Sequence, residues 1–214
     1  MIQRTPIADD LVDYETYRTL VPDGQKADLI EGVIYMAAAD SRLSNSVNGF
    51  LYRLIADFID ARNIDGFFFL SRFSCRLSDF NAPEPDVGYV RPERSHLIDE
   101  RHMVGGPDIA VEVVSRESRH RDYGDKRNLY ETAGVAEYWI IDPLQSRVEF
   151  LGLKDGRYEI LPLNDNHIFR TTVIPGFWLD VNWLLTKPLP RAYQCLQHIL
   201  AAPKQTPAKR RKRR

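Results

Sequence analysis

The sequence predicts an α/β or α+β domain with a mixed central sheet, on the basis of two kinds of pattern. Residues 42–62 repeat apolar side chains at the spacing of one helix face. The runs DIAVEVV at 108–114 and EYWIID at 137–142 are short and rich in β-branched or aromatic residues, which is typical of strands. Because such strands alternate with helices along the chain, helices should flank the sheet.

The remaining elements are predicted from local patterns in chain order. A helix over 9–20 should end at the turn Pro22-Asp23-Gly24, and 27–37 should form two short strands around Glu31-Gly32. Ser41 is a candidate cap for the helix at 42–62. Further strands are predicted at 67–77, 87–90, 147–153, 157–161 and 168–173, further helices at 121–133 and 190–201, and a loop at 91–107.

Charge divides the chain into an acidic body and a basic end. Residues 204–214 hold seven Lys or Arg and no acid, whereas residues 1–203 hold 22 basic and 30 acidic side chains. A length of 214 residues suits one domain with a sizeable core. We expect one folded domain over 1–187, a C-terminal helix over 188–203 and a disordered tail over 204–214.

Composition argues against several other classes of protein. The two cysteines, Cys75 and Cys195, lie in neither a zinc-ligand spacing nor a disulfide framework. The N-terminal MIQRTPIADD lacks the apolar run of a signal peptide. No stretch approaches the roughly 20 apolar residues of a membrane span. We therefore expect a cytoplasmic protein without a membrane partner.

Glu112 is an acid in the middle of an apolar strand. In DIAVEVV, Ile109, Val111 and Val113 share one face, and Glu112 lies on the other. Burying a carboxylate without a partner costs several kcal/mol. A bound cation or a structural ion pair, for example with an arginine, could offset that cost.

Asp86 and Lys126 are the two other candidates. Asp86 begins the strand DVGYV after two prolines, and its alternative role is that of a turn or capping residue. Lys126 shares a predicted helix face with Asp122 and Tyr130, and we expect it near the boundary between the buried and exposed sides. Its alternative role is an ordinary surface salt bridge with Asp122.

Together the three residues point to phosphodiester hydrolysis. Two acids at strand positions can hold Mg²⁺ through oxygen ligands, and the ion can polarise a phosphate and activate water. A lysine beside them can neutralise developing charge or orient the water. If Asp86 and Glu112 face one another on adjacent strands, at least one carboxylate should have a raised pKa without metal.

Two stretches of the chain resemble a known protein family. They are PEPDVGYV at 83–90 and GPDIAVEVVSRESRHRDYGDKRNLYETAGVAEYWIIDP at 106–143. They hold a Pro-Asp-Val strand start, Pro-Asp-(apolar)-x-Val-Glu-Val-x-Ser, Asp-x-x-x-Lys-x-x-x-Tyr, Ala-Gly-Val, Glu-Tyr-Trp and Asp-Pro, in that order. LIEGVIYM at 29–36 is more loosely similar to an earlier hairpin. Over roughly residues 10–185 the chain resembles the Uma-two family of the PD-(D/E)xK nuclease superfamily.

The resemblance implies a restriction-endonuclease-like fold and a DNA endonuclease that uses Mg²⁺ or Mn²⁺. It implies that Asp86 and Glu112 bind the metal. The superfamily's lysine usually lies two residues after the acid, where this chain has Val114. The family places it on the following helix, which corresponds to Lys126. An additional acid would be Asp28, where the family usually has Glu, or Glu31, where it usually has Asp.

Two further expectations concern partners. A homodimer would suit cleavage of both DNA strands. The tail either remains a solvated charge run or contacts DNA phosphates through Lys209, Arg210, Arg211, Lys212, Arg213 and Arg214. The functional alternatives are an inactive nucleic-acid-binding protein that keeps the nuclease fold, and a structural domain whose buried acids only form ion pairs.

Overall fold

A six-stranded mixed sheet forms the centre of the computed structural model, which describes residues 11–201. Its strand order is β10-β9-β8-β7-β5-β3. The strands in chain order are β1 Ala27–Ile30, β2 Val33–Met36, β3 Phe67–Leu70, β4 Ser74–Arg76, β5 Val87–Val90, β6 His102–Val104, β7 Ile109–Val113, β8 Glu137–Asp142, β9 Arg147–Lys154, β10 Arg157–Ile160, β11 Ile168–Arg170 and β12 Trp178–Asp180. The α-helices are α1 Tyr14–Leu20, α2 Arg42–Arg62, α3 Lys126–Thr132, α4 Asn182–Leu185 and α5 Ala192–Ala201. The predicted α+β class with a mixed sheet is confirmed.

The parallel pair in the central sheet is β7 with β8, and the other four pairings of that sheet are antiparallel. Parallel neighbours need a long crossover, because the chain must return to the same end of the sheet. Here the crossover contains a π-helical turn, Arg121–Asp125, followed directly by α3. The crossover therefore places this helical segment over the strand that carries Glu112.

Helix α2 covers one face of the sheet, and its limits match the prediction. Ser41 caps it by accepting a hydrogen bond of 3.0 Å from the backbone N–H of Ser44. Asn63 ends it in the left-handed conformation. Buried side chains of α2 pack with Ile109, Val111 and others of the sheet in one core that also includes α5. The opposite face of β7 packs in a second cluster, under α3.

The hairpin β1–β2 lies outside the central sheet and is held by contacts with α1 and with the segment that precedes β5. The backbone groups of Leu29 and Ala82 form an antiparallel bridge. The Tyr17 hydroxyl of α1 donates to the carbonyl oxygen of Ala27 at 2.7 Å. These contacts hold the hairpin beside the segment that precedes β5, and this segment ends at Asp86.

The sequence-based prediction of secondary structure was wrong at several places. Residues 67–77 form two strands in different sheets, because Arg72 adopts a left-handed φ of 75° between them. The predicted loop 91–107 contains a 3-10 helix, Pro92–Leu97, and β6. The bend at Arg72 carries no glycine or proline to mark it, and β6 is too short to show alternation. The strand β12 and the short helix α4 were also missed.

Gly88 of β5 leaves room for an aromatic side chain of the neighbouring strand. It lies opposite Phe69 of β3 in the antiparallel register. A Cβ atom at this position would lie 2.1 Å from the Phe69 ring, so no larger residue fits unless that ring is displaced. Among residues 11–201, no helix has the length and apolar character needed to cross a membrane.

Candidate active site

The register of β5 and β7 brings Asp86 next to Glu112. Val87 pairs with Val111 in the antiparallel ladder, so the next position along places Asp86 opposite Glu112. Asp86 Oδ2 accepts a hydrogen bond of 2.7 Å from the backbone N–H of Val113. The proline-bearing segment before β5 is thereby tied to the strand that carries the second acid.

Lys126 lies at the centre of a buried group of acids. Its Nζ lies 2.8 Å from Asp28 Oδ2, 3.0 Å from Glu112 Oε1 and 3.8 Å from Asp122 Oδ1. The lysine is only 2% exposed. Tyr130, one turn further along, donates to the same Glu112 oxygen at 3.0 Å. The spacing of four residues stacks Asp122, Lys126 and Tyr130 on one face, and this face is turned to the sheet.

The predicted position of Lys126 at the edge of the buried side is therefore wrong, and so is the surface salt bridge with Asp122. Leu129 of the same helix is only partly buried, whereas Lys126 is buried. Lys126 can be buried because Asp28 and Glu112, from other parts of the fold, and Asp122, one turn earlier, neutralise its charge. The compensation by Asp28 and Glu112 is invisible in a helical pattern.

The structure separates the two candidates for the additional acid. Asp28 lies on β1, is buried, and also accepts a hydrogen bond of 2.9 Å from the backbone N–H of Glu84. Glu31 occupies the exposed hairpin turn with a φ of 49°, and its backbone N–H donates to Asn81. Asp28 therefore joins Glu112 and Lys126, and Glu31 does not.

Lys26 is a site residue that the sequence analysis did not identify. Its Nζ donates to Asp86 Oδ1. Lys26 and Asp28 are two residues apart at the start of an extended segment, and this spacing places two side chains on the same face. Once Asp28 is preferred to Glu31, this spacing predicts that Lys26 faces the same site. Both side chains line the same cavity as Asp86.

One cavity of about 1010 Å³ contains this whole arrangement. Lys26, Asp28, Asp86, Glu112 and Lys126 all contribute to its wall. Three arginines also line it: Arg72, Arg116 and Arg121. The cavity therefore combines an acidic centre with guanidinium groups, which bind phosphate oxygens well.

The pKa values of Glu112 and Asp28 are shifted in opposite directions. Burial raises the pKa of Glu112 to about 8, with the charges of Asp122 and Asp86 adding to the rise and those of Lys126 and Lys26 opposing it. Burial also acts to raise the pKa of Asp28, but Lys126 and Lys26 outweigh it and the pKa is lowered. The expected raised carboxylate pKa is thus found at Glu112, although burial contributes more than the neighbouring acid.

The oxygen-rich wall suits a hard divalent cation. Both hydrogen bonds to Glu112 fall on Oε1, and within residues 11–201 Oε2 has no hydrogen-bond partner. In the same part of the chain, no three His, Cys, Asp or Glu side chains are grouped so as to hold a metal. Mg²⁺ commonly uses only one or two carboxylates and completes its shell with water and substrate. Asp86 and Glu112 supply the two carboxylates that such a site needs.

Ser115 and Ser118 hydrogen-bond one another at 3.0 Å in the turn that follows β7. The tail residues proposed to contact DNA, Lys209 to Arg214, lie outside the described part of the chain.

Comparison with known proteins agrees with the fold. The family model described as "Uma2: Putative restriction endonuclease" matches residues 11–182. A crystal structure of a putative nuclease belonging to DUF820 from Anabaena variabilis ATCC 29413 is similar, with a TM-score of 0.68 and 15% identity over 81% of this chain and 97% of that one. No curated protein matches the sequence. Because the family model matches most of this chain, the chain belongs to the Uma2 family.

Proposed function

We propose that this protein is a metal-dependent endonuclease that hydrolyses phosphodiester bonds in DNA. The observation that carries the proposal is the meeting of Asp86 and Glu112 in one cavity with Lys126, whose ammonium contacts Glu112 at 3.0 Å. Membership of a family described as restriction endonucleases supports nucleic acid as the substrate.

Asp86 and Glu112 are the residues that would hold Mg²⁺ or Mn²⁺. When bound, such an ion supplies positive charge that polarises the phosphate and makes water a stronger nucleophile at neutral pH. Asp86 is well placed because its Oδ2 is anchored on the Val113 backbone, which limits rotation of the carboxylate. Glu112 is held from the other side, through Oε1, by Lys126 and Tyr130.

Lys126 has two proposed roles. It keeps Glu112 aligned and compensates its charge when Glu112 ionises. An ammonium also has three N–H donors. Asp28 and Glu112 accept from it at hydrogen-bond distance, and Asp122 is further away at 3.8 Å. The remaining donor is available to a phosphate oxygen or to the attacking water.

Substrate binding is assigned to the basic groups around the acidic centre. Arg72, Arg116 and Arg121 line the cavity, and guanidinium groups can bind phosphates on either side of the scissile bond. The tail residues Lys209 to Arg214 would add contacts without sequence specificity. A homodimer, which would place two such cavities on one duplex, remains part of this proposal.

A second function is favoured by one specific observation. The position two residues after Glu112, where the superfamily usually has its lysine, is Val114, which is fully buried in an apolar cluster. A nucleic-acid-binding protein that has lost catalysis would be compatible with that substitution. The two functions differ in whether DNA bound by the protein is cut.

The decisive experiment is a time course on supercoiled plasmid DNA with the full chain and Mg²⁺ or Mn²⁺. The endonuclease proposal requires conversion to nicked or linear DNA that EDTA stops. Asp86→Asn, which keeps the side-chain shape and removes the charge, should be inactive but still bind DNA. Binding by the wild-type chain without any cleavage would support the inactive protein and overturn the endonuclease.

A further inference from the structure

The two lysines of the cavity differ in their surroundings. Lys126 is 2% exposed and has three carboxylate neighbours within 4 Å. The Lys26 side chain is 21% exposed, and within residues 11–201 its one ion pair is with Asp86. Lys126 is therefore fixed by its burial and its partners, whereas Lys26 depends on one contact at the wall of the cavity.

That single contact is made with a residue proposed to hold the metal. Lys26 Nζ donates to Asp86 Oδ1, and Asp86 Oδ2 is already used by the Val113 backbone. Both oxygens of Asp86 are thus engaged in the metal-free protein. A cation and an ammonium in contact with the same carboxylate repel one another strongly.

We propose that Lys26 occupies Asp86 in place of the metal, leaves it when a divalent cation binds, and then contacts the phosphate of the nucleic acid. This inference rests on the proposed function. Lys26 would be a second catalytic lysine, supplied by the segment that enters β1. It would reach the substrate from the wall of the cavity, whereas Lys126 stays beneath Glu112.

The charges around the two lysines support the replacement of Lys26 by a divalent cation at Asp86. Four acids face the two lysines: Asp28, Asp86, Glu112 and Asp122. The net charge of these four acids and two lysines, all ionised, is negative, which attracts a divalent cation. Lys26 Nζ and an incoming cation would compete for the same Asp86 oxygen, so the ammonium must move away when the cation binds.

The chain also offers Lys26 a new partner after the exchange. Its side chain lines the same cavity as Arg72, Arg116 and Arg121, which we assign to phosphate binding. A flexible four-carbon stem allows the ammonium to swing between an acid and a phosphate without any change of backbone. The buried Lys126 has no comparable freedom, because moving it would leave three carboxylates without a counter-charge.

The test is to measure binding of Mn²⁺ alone by the paramagnetic resonance signal of the free ion, using the full chain. Lys26→Met should bind Mn²⁺ at least about tenfold more tightly than wild type, because no ammonium has to be displaced. The same variant should cleave DNA more slowly at saturating Mn²⁺. Lys26→Arg, which keeps the charge, should bind Mn²⁺ with nearly wild-type affinity.

Lys154→Met is the matched control for net charge. Lys154 is exposed on β9 and pairs with Glu159 at 3.0 Å, away from the cavity. It should change neither measurement. If Lys26→Met loses its near-ultraviolet dichroism, Lys26→Gln provides the same test.

The outcomes separate this inference from the proposed function. A wild-type chain that binds no Mn²⁺ would overturn both. A wild-type chain that binds Mn²⁺ and cleaves DNA, with a Lys26→Met variant that binds Mn²⁺ no more tightly, would overturn only the displacement. Tighter binding together with wild-type cleavage would overturn the phosphate contact. Tighter binding with slower cleavage is the expected result.

Discussion

Glu112 and Glu137 are buried carboxylates on neighbouring parallel strands, and only Glu112 is paired with a lysine within residues 11–201. Glu137 is surrounded by uncharged donors of the chain itself: Trp139 Nε1, Thr171 Oγ1, and the backbone N–H and hydroxyl of Thr172, at 2.7–3.1 Å. Glu112 receives both of its hydrogen bonds on one oxygen, from Lys126 and Tyr130. Both oxygens of Glu137 therefore accept hydrogen bonds from the fold, whereas Oε2 of Glu112 accepts none within residues 11–201.

The first prediction contrasts these two acids. Glu112→Gln should abolish Mn²⁺-dependent cleavage and weaken Mn²⁺ binding, with little change in the unfolding temperature. Glu137→Gln should keep Mn²⁺ binding but lower the free energy of unfolding by about 1–3 kcal/mol, since an amide cannot accept all the hydrogen bonds that the carboxylate accepts. Thermal and urea unfolding, run beside a plasmid cleavage assay, provide the measurement. Equal loss of stability in both variants would indicate that Glu112 is structural.

The second prediction concerns pH. The pKa of Glu112 is raised to about 8 in the metal-free protein, so Glu112 carries a proton below that pH and Mn²⁺ must displace it. The groups that surround this carboxylate are Lys126, Asp122, Asp86 and Lys26. Mn²⁺ affinity should therefore rise by up to about tenfold per pH unit below pH 8 and level off above it. An affinity that stays constant from about pH 6.5 to 8 would contradict a metal-binding role for Glu112.

The raised pKa of Glu112 also predicts how the stability of the metal-free protein depends on pH. Because the folded pKa of Glu112 lies above its ordinary value of 4.5, the folded state binds more protons than the unfolded state between those two pH values. This group therefore lowers stability progressively as the pH rises from about 4.5 to 8. Glu112→Gln should remove that contribution, so at pH 8.5 the variant should unfold at a temperature equal to or above that of the wild type. A clearly lower temperature would show that ionised Glu112 stabilises the fold.

The third prediction concerns Lys126. Lys126→Met leaves Asp28, Glu112 and Asp122 without their shared counter-charge. The free energy of unfolding should fall by about 3–5 kcal/mol, because uncompensated buried charge is costly. Lys154→Met, which breaks an exposed pair, should change it by less than about 1 kcal/mol. Urea unfolding measures both.

A double variant tests the cause of that destabilisation. Lys126→Met combined with Asp28→Asn removes one cation and one of its acids together. The combination should recover part of the stability lost by Lys126→Met alone. Additive losses of stability would indicate that Lys126 acts through packing of its aliphatic stem.

The fourth prediction concerns the basic end of the chain. Deletion of residues 204–214 removes seven positive charges. The affinity for DNA should fall and the slope of log affinity against log salt should become shallower, by roughly 0.9 for each phosphate that the tail neutralises in the full chain. The unfolding temperature should not change. A salt slope identical to that of the full chain would show that the tail binds no phosphates.

The strands that carry the two acids were predictable from sequence. An acid in the middle of DIAVEVV, and another after two prolines, stand out against their apolar or rigid surroundings. The helix at 42–62 and the strand at 137–142 were placed correctly because their patterns are long or strongly apolar. Local patterns therefore located Glu112 and Asp86.

The rest of the cluster depends on contacts between distant segments. Neither the choice of Asp28 over Glu31 nor the depth of Lys126 can be read from one strand or one helix. Each is decided by how the hairpin β1–β2 and α3 pack against β7. The roles assigned to Asp86, Glu112 and Lys126 stay predictions until the variants are measured.

The mutual neutralisation of charges around Lys126 has a consequence for how this sequence can change over generations. Asp28, Glu112 and Lys126 come from three separate stretches of chain, and the lysine compensates the charge of both acids. Loss of Lys126 leaves buried carboxylates without a counter-charge, so a relative that has lost the lysine needs further mutations nearby to keep its stability. Positions 28, 112, 122 and 126 should therefore co-vary among relatives. Relatives without catalytic activity should lack this whole set of charges, with apolar residues in their place.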